Sequence, residues 1–145
     1  MKVVLQRVKS ARLHCDEKFV SEIGFGLVVF FGVSVGDEYS KADQMAKKIV
    51  NLRVFADENG KSNLSVIDVK GEILSVSQFT LYGDVKKGFR PSFTQAEAPD
   101  KAKLLYDYFC DKLSEFGVTV KKGVFGGDMT ITQVNDGPYT IVYEL

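Results

Sequence analysis

Ser75-Val76-Ser77-Gln78-Phe79-Thr80-Leu81 sets hydroxyls and an amide into a run that alternates polar and apolar residues. On a strand, Gln78 and Thr80 share one face with Val76, while Ser77 and Phe79 share the other. The run leads into a long loop, and strand ends entering loops commonly carry sites. Thr80 can serve as a nucleophile if a base lies beside it, with Lys86, Lys87 or a carboxylate as candidates. The other chemistry needs no side-chain nucleophile: backbone N–H groups at the strand end bind a developing oxyanion, and a hydroxyl of the substrate activates water. Read alone, the segment is more simply a strand that tolerates Ser and Thr.

Three other segments carry candidate groups. Asn135-Asp136-Gly137-Pro138-Tyr139-Thr140 has the composition of a turn between two strands. Glycine before proline relaxes the restriction that proline places on its predecessor. Lys86-Lys87-Gly88-Phe89-Arg90-Pro91-Ser92 gathers three cations around an aromatic ring. Cations on phosphates and a ring under a base are the two means of holding a single-stranded RNA end, and a solvated basic loop fits the same residues. Phe125-Gly126-Gly127-Asp128-Met129 reads as core residues flanking a β-bulge. His14 is the only histidine, and neither CxxC nor HxxxH spacing occurs. A zinc site or a histidine-based triad is hard to assemble from this chain, so no metal and no cofactor is expected.

The elements that must position these groups follow from pattern. The chain has 145 residues, 45% hydrophobic and 26% charged, which suits one domain, 1–145, with a real core. Lys+Arg and Asp+Glu both number 19. That balance argues against a broad basic face and so against DNA as a partner, but leaves room for a local grip on a single-stranded end. The apolar run Leu27 to Phe31 is too short to span a bilayer, so no membrane is expected. Without a secretion signal, Cys15 and Cys110 read as reduced thiols of a cytoplasmic protein.

Val3 to Val8 reads as a first strand, and Ala11 to Cys15 with Lys18 to Ile23 as a hairpin tipped by Asp16-Glu17. Gly26 to Val33 is apolar on both faces and is expected to be central. A helix capped by Asp37 or Ser40 follows, with the stripe Ala42, Met45, Ala46, Ile49 and Val50. Leu52 to Phe55 and Leu64 to Val66 flank an Asn-Gly turn, and Ile73 to Phe79 alternates as a strand. Gly83 to Ala98 lacks periodicity. Pro99 opens a second helix with the stripe Ala102, Leu105, Tyr106, Phe109, Leu113 and Phe116, stopped by Gly117. Val118 to Val120, Met129 to Val134 and Tyr139 to Leu145 complete the strands. The expected fold is α+β, a mostly antiparallel, curved, barrel-like sheet with two main helices in one compact domain.

Taken in order along nearly the whole chain, these segments resemble the D-aminoacyl-tRNA deacylases, the D-tyrosyl-tRNA deacylase family. Met1 to Val8 looks like that family's first strand. Lys48 to Phe55, Asp57 to Lys61 and Asn63 to Ser65 are similar to its helix-to-hairpin passage. Ser77-Gln78-Phe79-Thr80-Leu81, Arg90-Pro91-Ser92-Phe93, and Asn135-Asp136-Gly137-Pro138 with Thr140 match its motifs. Phe89 stands where the family often has arginine, which removes a cation from the loop. Tyr139 stands where a smaller aliphatic is common.

The resemblance implies hydrolysis of the ester between a D-amino acid and the 3′-terminal adenosine of tRNA, a chiral proofreading step of translation. Glycine, being achiral, would also be accepted, as on mischarged tRNA-Ala. The catalytic residues would be Ser77, Gln78, Phe79 and Thr80, working with backbone groups and the tRNA 2′-hydroxyl. A cis Gly137-Pro138 pair would reach across a homodimer into the partner's pocket, bind the α-amino group through its carbonyls and leave no space for an L side chain. Ala102, Phe125 and Met129 would line an adenosine pocket, and Lys86 and Arg90 would contact tRNA. The competing readings are Thr80 as a covalent nucleophile and a non-catalytic module that binds an RNA end.

Overall fold

The structure is a computed structural model that describes residues 1–145. Its longest shared edge belongs to β1 (Lys2–Cys15). On one side β1 pairs antiparallel with β8 (Met129–Glu144) over nearly its whole length. On the other it pairs with β3 (Gly26–Gly32) through Lys2 to Val8 and with β2 (Lys18–Ile23) through Ala11 to Cys15. The two strands expected at 3–8 and 11–15 are therefore one. Nothing between them is a turn residue, and the register against β8 slips at Gln6/Val8 and Val8/Ser10 without ending the strand. These slips change which face is buried. Val3 and Leu5 face the helices, whereas Val8, Ala11 and Leu13 face a second core. A bulge re-aims side chains in this way while the ladder continues.

β3 is buried on both faces, as its sequence requires. Leu27, Val29 and Phe31 join the helix-side core, and Val28 joins the second one. β3 pairs parallel with β6 (Glu72–Ser77), and β6 pairs parallel with β7 (Thr119–Lys122). Each parallel step is bridged by a helix, as parallel pairing demands: α1 (Tyr39–Asn51) lies between β3 and β6, and α2 (Pro99–Glu115) lies between β6 and β7. The sheet curls until β2 approaches β7, where the Ser21 hydroxyl donates to the Lys122 carbonyl at 3.3 Å. The expected curved, mostly antiparallel α+β fold with two helices is observed, with two parallel joints in its sheet. Neither helix is long and apolar enough to cross a membrane.

Four local expectations are corrected. β4 (Phe55–Ala56) and β5 (Ser62–Leu64) are shifted toward the turn and share only Phe55 and Leu64 with the strands expected there, because the Asp57 carboxylate accepts from the N–H groups of Asn59 and Lys61 and builds the turn itself. β6 stops at Ser77, and Phe79–Tyr82 forms a 3₁₀ turn. β8 runs unbroken through 135–138, where a hairpin turn was expected, because β1 continues on the far side of that segment and holds both halves. Neither Asp37 nor Ser40 caps α1, since the residue at the cap position is Glu38 and it makes no side-chain cap bond.

Asp37 does other work. Its carboxylate accepts from the Ser34 N–H at 2.8 Å, from Lys41 Nζ at 2.8 Å and from the Met1 amine at 2.6 Å. Burial alone would raise the Asp37 carboxyl, but Lys41, the amine and the Ser34 N–H together hold it below its ordinary value. A carboxylate with a depressed folded-state pKa stabilises the fold above the ordinary carboxylate range, and that contribution disappears as pH falls through the lowered value. Asp37→Asn is expected to cost about 3 kcal/mol at neutral pH, because it strips a buried charge from its partners. The variant's stability should also vary less between neutral and acid pH. Urea denaturation of both proteins across that range checks the pair of outcomes.

Candidate functional site

A cleft of about 670 Å³ opens beside the end of β6. Its position follows from how β6 ends. The Gln78 N–H donates to the Phe31 carbonyl at 2.8 Å, extending the ladder one residue beyond the strand. The chain then tightens into the 3₁₀ turn, which packs against Gly32, where an added Cβ would meet the Gln78 carbonyl oxygen at 3.0 Å and Leu81 Cβ at 3.2 Å. Ser77, Gln78 and Phe79 line the cleft. The expected alternation of faces fails after Ser77, because the turn rotates Phe79 and Thr80 out of the strand's period. Thr80 is exposed and outside the lining, and its hydroxyl accepts a hydrogen bond from the Gln78 amide. That amide is its only side-chain partner.

The first N–H groups of a 3₁₀ turn have no acceptor within the turn. Here those groups belong to Phe79 and Thr80, and they follow directly after Gln78. The junction thus carries two backbone donors, the Gln78 amide and the Ser77 hydroxyl, with the Thr80 hydroxyl outside the cleft and no basic side chain among the residues of the first motif. That inventory can stabilise an oxyanion and orient a polar substrate.

Most of the rest of the lining is apolar. Ala102 from α2, and Phe125 and Met129 from the β7–β8 connection and the start of β8, line the same cleft as Ser77. The structure therefore brings together six of these candidates from three distant parts of the chain: Ser77, Gln78, Phe79, Ala102, Phe125 and Met129. Its rim carries Glu97. Lys101, then the Ala98 N–H, hold the Glu97 carboxyl below its ordinary value, and Gly36 N–H also donates to it at 3.3 Å. This fixes the rim at the start of α2.

Sequence reading missed Tyr106 as a cleft residue because it sits within the helix stripe and reads as core. Its ring does pack in the core, lying 6.0 Å from Phe125 and 6.3 Å from Phe31. Its hydroxyl donates to the Ser75 carbonyl at 2.8 Å, and Gly123 N–H donates to the same oxygen at 2.9 Å. Burial pushes the phenol up, so it stays a donor at any ordinary pH. Tyr106 thereby ties the strand carrying Ser77 to the connection carrying Phe125.

The second motif lies elsewhere. Gly137 and Pro138 are exposed and do not line the cleft of their own chain. Their peptide bond is cis. Arg7 holds the segment: its Nε donates to the Asp136 carbonyl at 3.2 Å and pairs with the Asp136 carboxylate at 2.9 Å, while the guanidinium lies 4.8 Å from the centre of the Tyr139 ring. Gln133 donates to Gln6 and to Asn135, and Gln6 donates to Thr140. The motif's polar residues thus pin the bulge from both ends. Gly137 has φ +126°, and an added Cβ would meet the Tyr139 nitrogen at 2.9 Å. Arg7 carried no signal in the sequence beyond being a cation in a strand.

Lys86 and Arg90 are exposed and outside the cleft, on a loop rooted beside it. At that root Phe93 lines the cleft and meets Phe79 edge-on at 5.0 Å.

Tyr106→Phe is expected to cost about 1 kcal/mol of stability, since one buried hydrogen bond is lost while the Gly123 donor remains. Tyr106→Ala should cost about 3–5 kcal/mol by leaving a cavity. Urea denaturation gives both numbers, and equal losses for the two variants would show that ring packing contributes nothing.

Residues 4–144 match the family model described as D-Tyr-tRNA(Tyr) deacylase. A D-aminoacyl-tRNA deacylase of Geobacter sp. (strain M21) is 53% identical over 144 residues, covering 99% of this chain and 97% of that one. The D-aminoacyl-tRNA deacylase of Bacillus cytotoxicus is 49% identical over 144 residues, covering 99% of each. Among solved structures, a c-Myc DNA unwinding element binding protein superposes with TM-score 0.93 at 41% identity, covering 100% of this chain and 99% of that one. A probable eukaryotic D-amino acid tRNA deacylase shares the fold, with TM-score 0.87 at 21% identity over 99% of this chain and 98% of that one.

Proposed function

The chain belongs to the D-Tyr-tRNA(Tyr) deacylase family and is a hydrolase of aminoacyl-tRNA esters, and from that premise we propose that it removes D-amino acids, and glycine from mischarged tRNA-Ala, by a substrate-assisted mechanism that uses no side-chain nucleophile. The observation that carries the mechanism is the junction of β6 with its 3₁₀ turn, where the leading N–H groups of Phe79 and Thr80 follow Gln78 at the wall of an apolar cleft.

In this reading the terminal adenosine enters between Ala102, Phe125 and Met129. The ester carbonyl lies against the Phe79 and Thr80 N–H groups, with Ser77 and Gln78 orienting it. The adenosine 2′-hydroxyl directs a water molecule onto the ester carbon. The carbon–O3′ bond breaks, O3′ takes the proton, and free amino acid and tRNA leave. The backbone donors contribute most when negative charge develops on the carbonyl oxygen, which is the condition for lowering a barrier. Lys86 and Arg90 contact the tRNA backbone beyond the cleft. Balanced net charge keeps the grip local and fits an RNA end better than duplex DNA.

Stereochemical selection comes from a second copy. Gly137 and Pro138 are exposed and lie outside their own cleft. Val134 and Val142 leave apolar surface on the same strand, suited to a symmetric contact. The carbonyls of Gly137 and Pro138 from the partner then bind the α-amino group and crowd the position of an L side chain. A D side chain points to solvent, so its identity is not read. The fold and partner chemistry fit a cytoplasmic enzyme of translation.

A covalent Thr80 mechanism lacks a base, since the Thr80 hydroxyl meets only an amide. Thr80→Ala is expected to retain substantial deacylation, and loss of nearly all turnover would instead favour the nucleophile. Purified protein should release D-tyrosine from tRNA at least about 100-fold faster than L-tyrosine, a ratio typical of strict steric exclusion in which about 1.4 kcal/mol gives each factor of ten. No turnover of either substrate would leave only an RNA-binding module. Gly137→Ala should reduce turnover or the D/L ratio by at least about tenfold, because a side chain is strained at that φ. Unchanged rates on both substrates would remove the segment from the site. Sedimentation at working concentration tests the dimer, and an active monomer would defeat it.

A further inference from the structure

The loop between the 3₁₀ turn and α2 carries one residue that the deacylase reading leaves unused. Phe89 is 107% exposed and has no aromatic or cationic partner within its own chain. A lone exposed ring would carry little meaning on its own. Its setting is built, however. Asp84 and Ser92 exchange backbone hydrogen bonds at 2.8 and 2.9 Å, closing the loop at its base. The Asp84 carboxylate accepts from the Lys86 N–H at 2.9 Å, and Gly88 turns the tip at φ +69°. Lys86, Lys87 and Arg90 flank the ring, and none of them has a carboxylate within ion-pairing distance. The root of the same loop is the cleft wall, through Phe93 against Phe79.

We propose that Phe89 is a stacking platform for an unpaired nucleobase of the RNA strand that leads to the terminal adenosine, with Lys86, Lys87 and Arg90 holding the phosphates on either side. The inference rests on the deacylase reading of the cleft. A nucleic acid whose last nucleotide fills an apolar cleft must cross the rim with its preceding nucleotides. Those nucleotides offer two things, a line of negative charge and exposed aromatic faces. Three unpartnered cations beside a fully exposed ring match both, on a chain whose net charge as a whole is zero. Stacking is indifferent to base identity, which suits an enzyme that must accept the ends of many tRNAs. A second copy of this chain is the competing occupant of the ring, and charge favours RNA, since a strand carries one negative charge per phosphate whereas a second copy has no net charge.

The test compares two substrates and three proteins. D-tyrosyl-tRNA carries the upstream nucleotides, whereas D-tyrosyl-adenosine keeps the ester and the terminal nucleoside only. With D-tyrosyl-tRNA, Phe89→Ala is expected to raise KM about fivefold or more, the size of one base–aromatic stack, and to leave kcat unchanged. With D-tyrosyl-adenosine, wild type and Phe89→Ala should be indistinguishable, and Phe89→Tyr should restore KM on the tRNA. Equal effects on both substrates, or none on the tRNA, would overturn the proposal. So would a change in sedimentation of Phe89→Ala, which would assign the ring to a contact between copies. Failure of the wild type on both substrates would overturn the deacylase reading and this inference with it, an outcome distinct from a selective failure at Phe89.

Discussion

The double pairing of β1 is the constraint from which the rest of the molecule takes its place. One edge of β1 carries β8, and the other carries β3 and then β2. A strand held on both edges cannot be displaced without breaking two ladders, so the irregularities in its neighbours are local. The slips near Gln6 and Val8 let one strand serve two cores. The same slips create the room in which Asp136 to Tyr139 leave the ladder without ending β8. Arg7, at the slip, fills that room with a guanidinium that bonds Asp136 and covers Tyr139. The exposed Gly137-Pro138 tip is therefore a rigid projection of the sheet, not a free turn.

The cleft depends on a second structural constraint, the burial of β3 on both faces. Because Phe31 must pack under the helices, the strand beside it carries Ser77 to the edge of the same core. The Phe31 ring stacks on Phe109 at 4.1 Å, which seats α2 and with it Ala102 and Tyr106. The Tyr106 hydroxyl then binds the Ser75 carbonyl two residues before Ser77. Core packing and site geometry are thus the same set of contacts, and a polar strand end sits against an apolar floor with few degrees of freedom.

Such a site favours chemistry by placement. Backbone N–H groups cannot be protonated or lost with pH, and the Gln78 amide has no charge to titrate. What they supply is a fixed field at the end of a strand, which needs no reorganisation as an ester carbonyl gains negative charge. In the proposed mechanism, an ester that brings its own neighbouring hydroxyl needs little more. In the proposed function the two motifs divide the work: the cleft would take groups common to every aminoacyl end, while the exposed Gly137-Pro138 tip of a second copy would exclude one hand of a substrate without reading its side chain.

Sequence alone determined most of the elements and one face of the site. The apolar run 26–33 could only be a strand buried on both sides, and the stripes through Ala42 to Val50 and Ala102 to Leu113 could only be helices against a core. Period and composition fix such choices because burial is local in its demands. The two polar motifs were legible as motifs, and only family likeness suggested joining them, since the cleft of one chain holds the first and not the second. Residue patterns did not show that β6 yields to a 3₁₀ turn after Ser77, or that 135–138 is a bulge inside a continuous strand. Those outcomes depend on Gly32 opposite Gln78 and on β1 alongside β8, partners far away in the chain. Arg7 and Tyr106 were hidden for the same reason. A cation in a strand and a tyrosine in a helix stripe have ordinary local meanings, and only the tertiary structure decides which distant carbonyl each one holds.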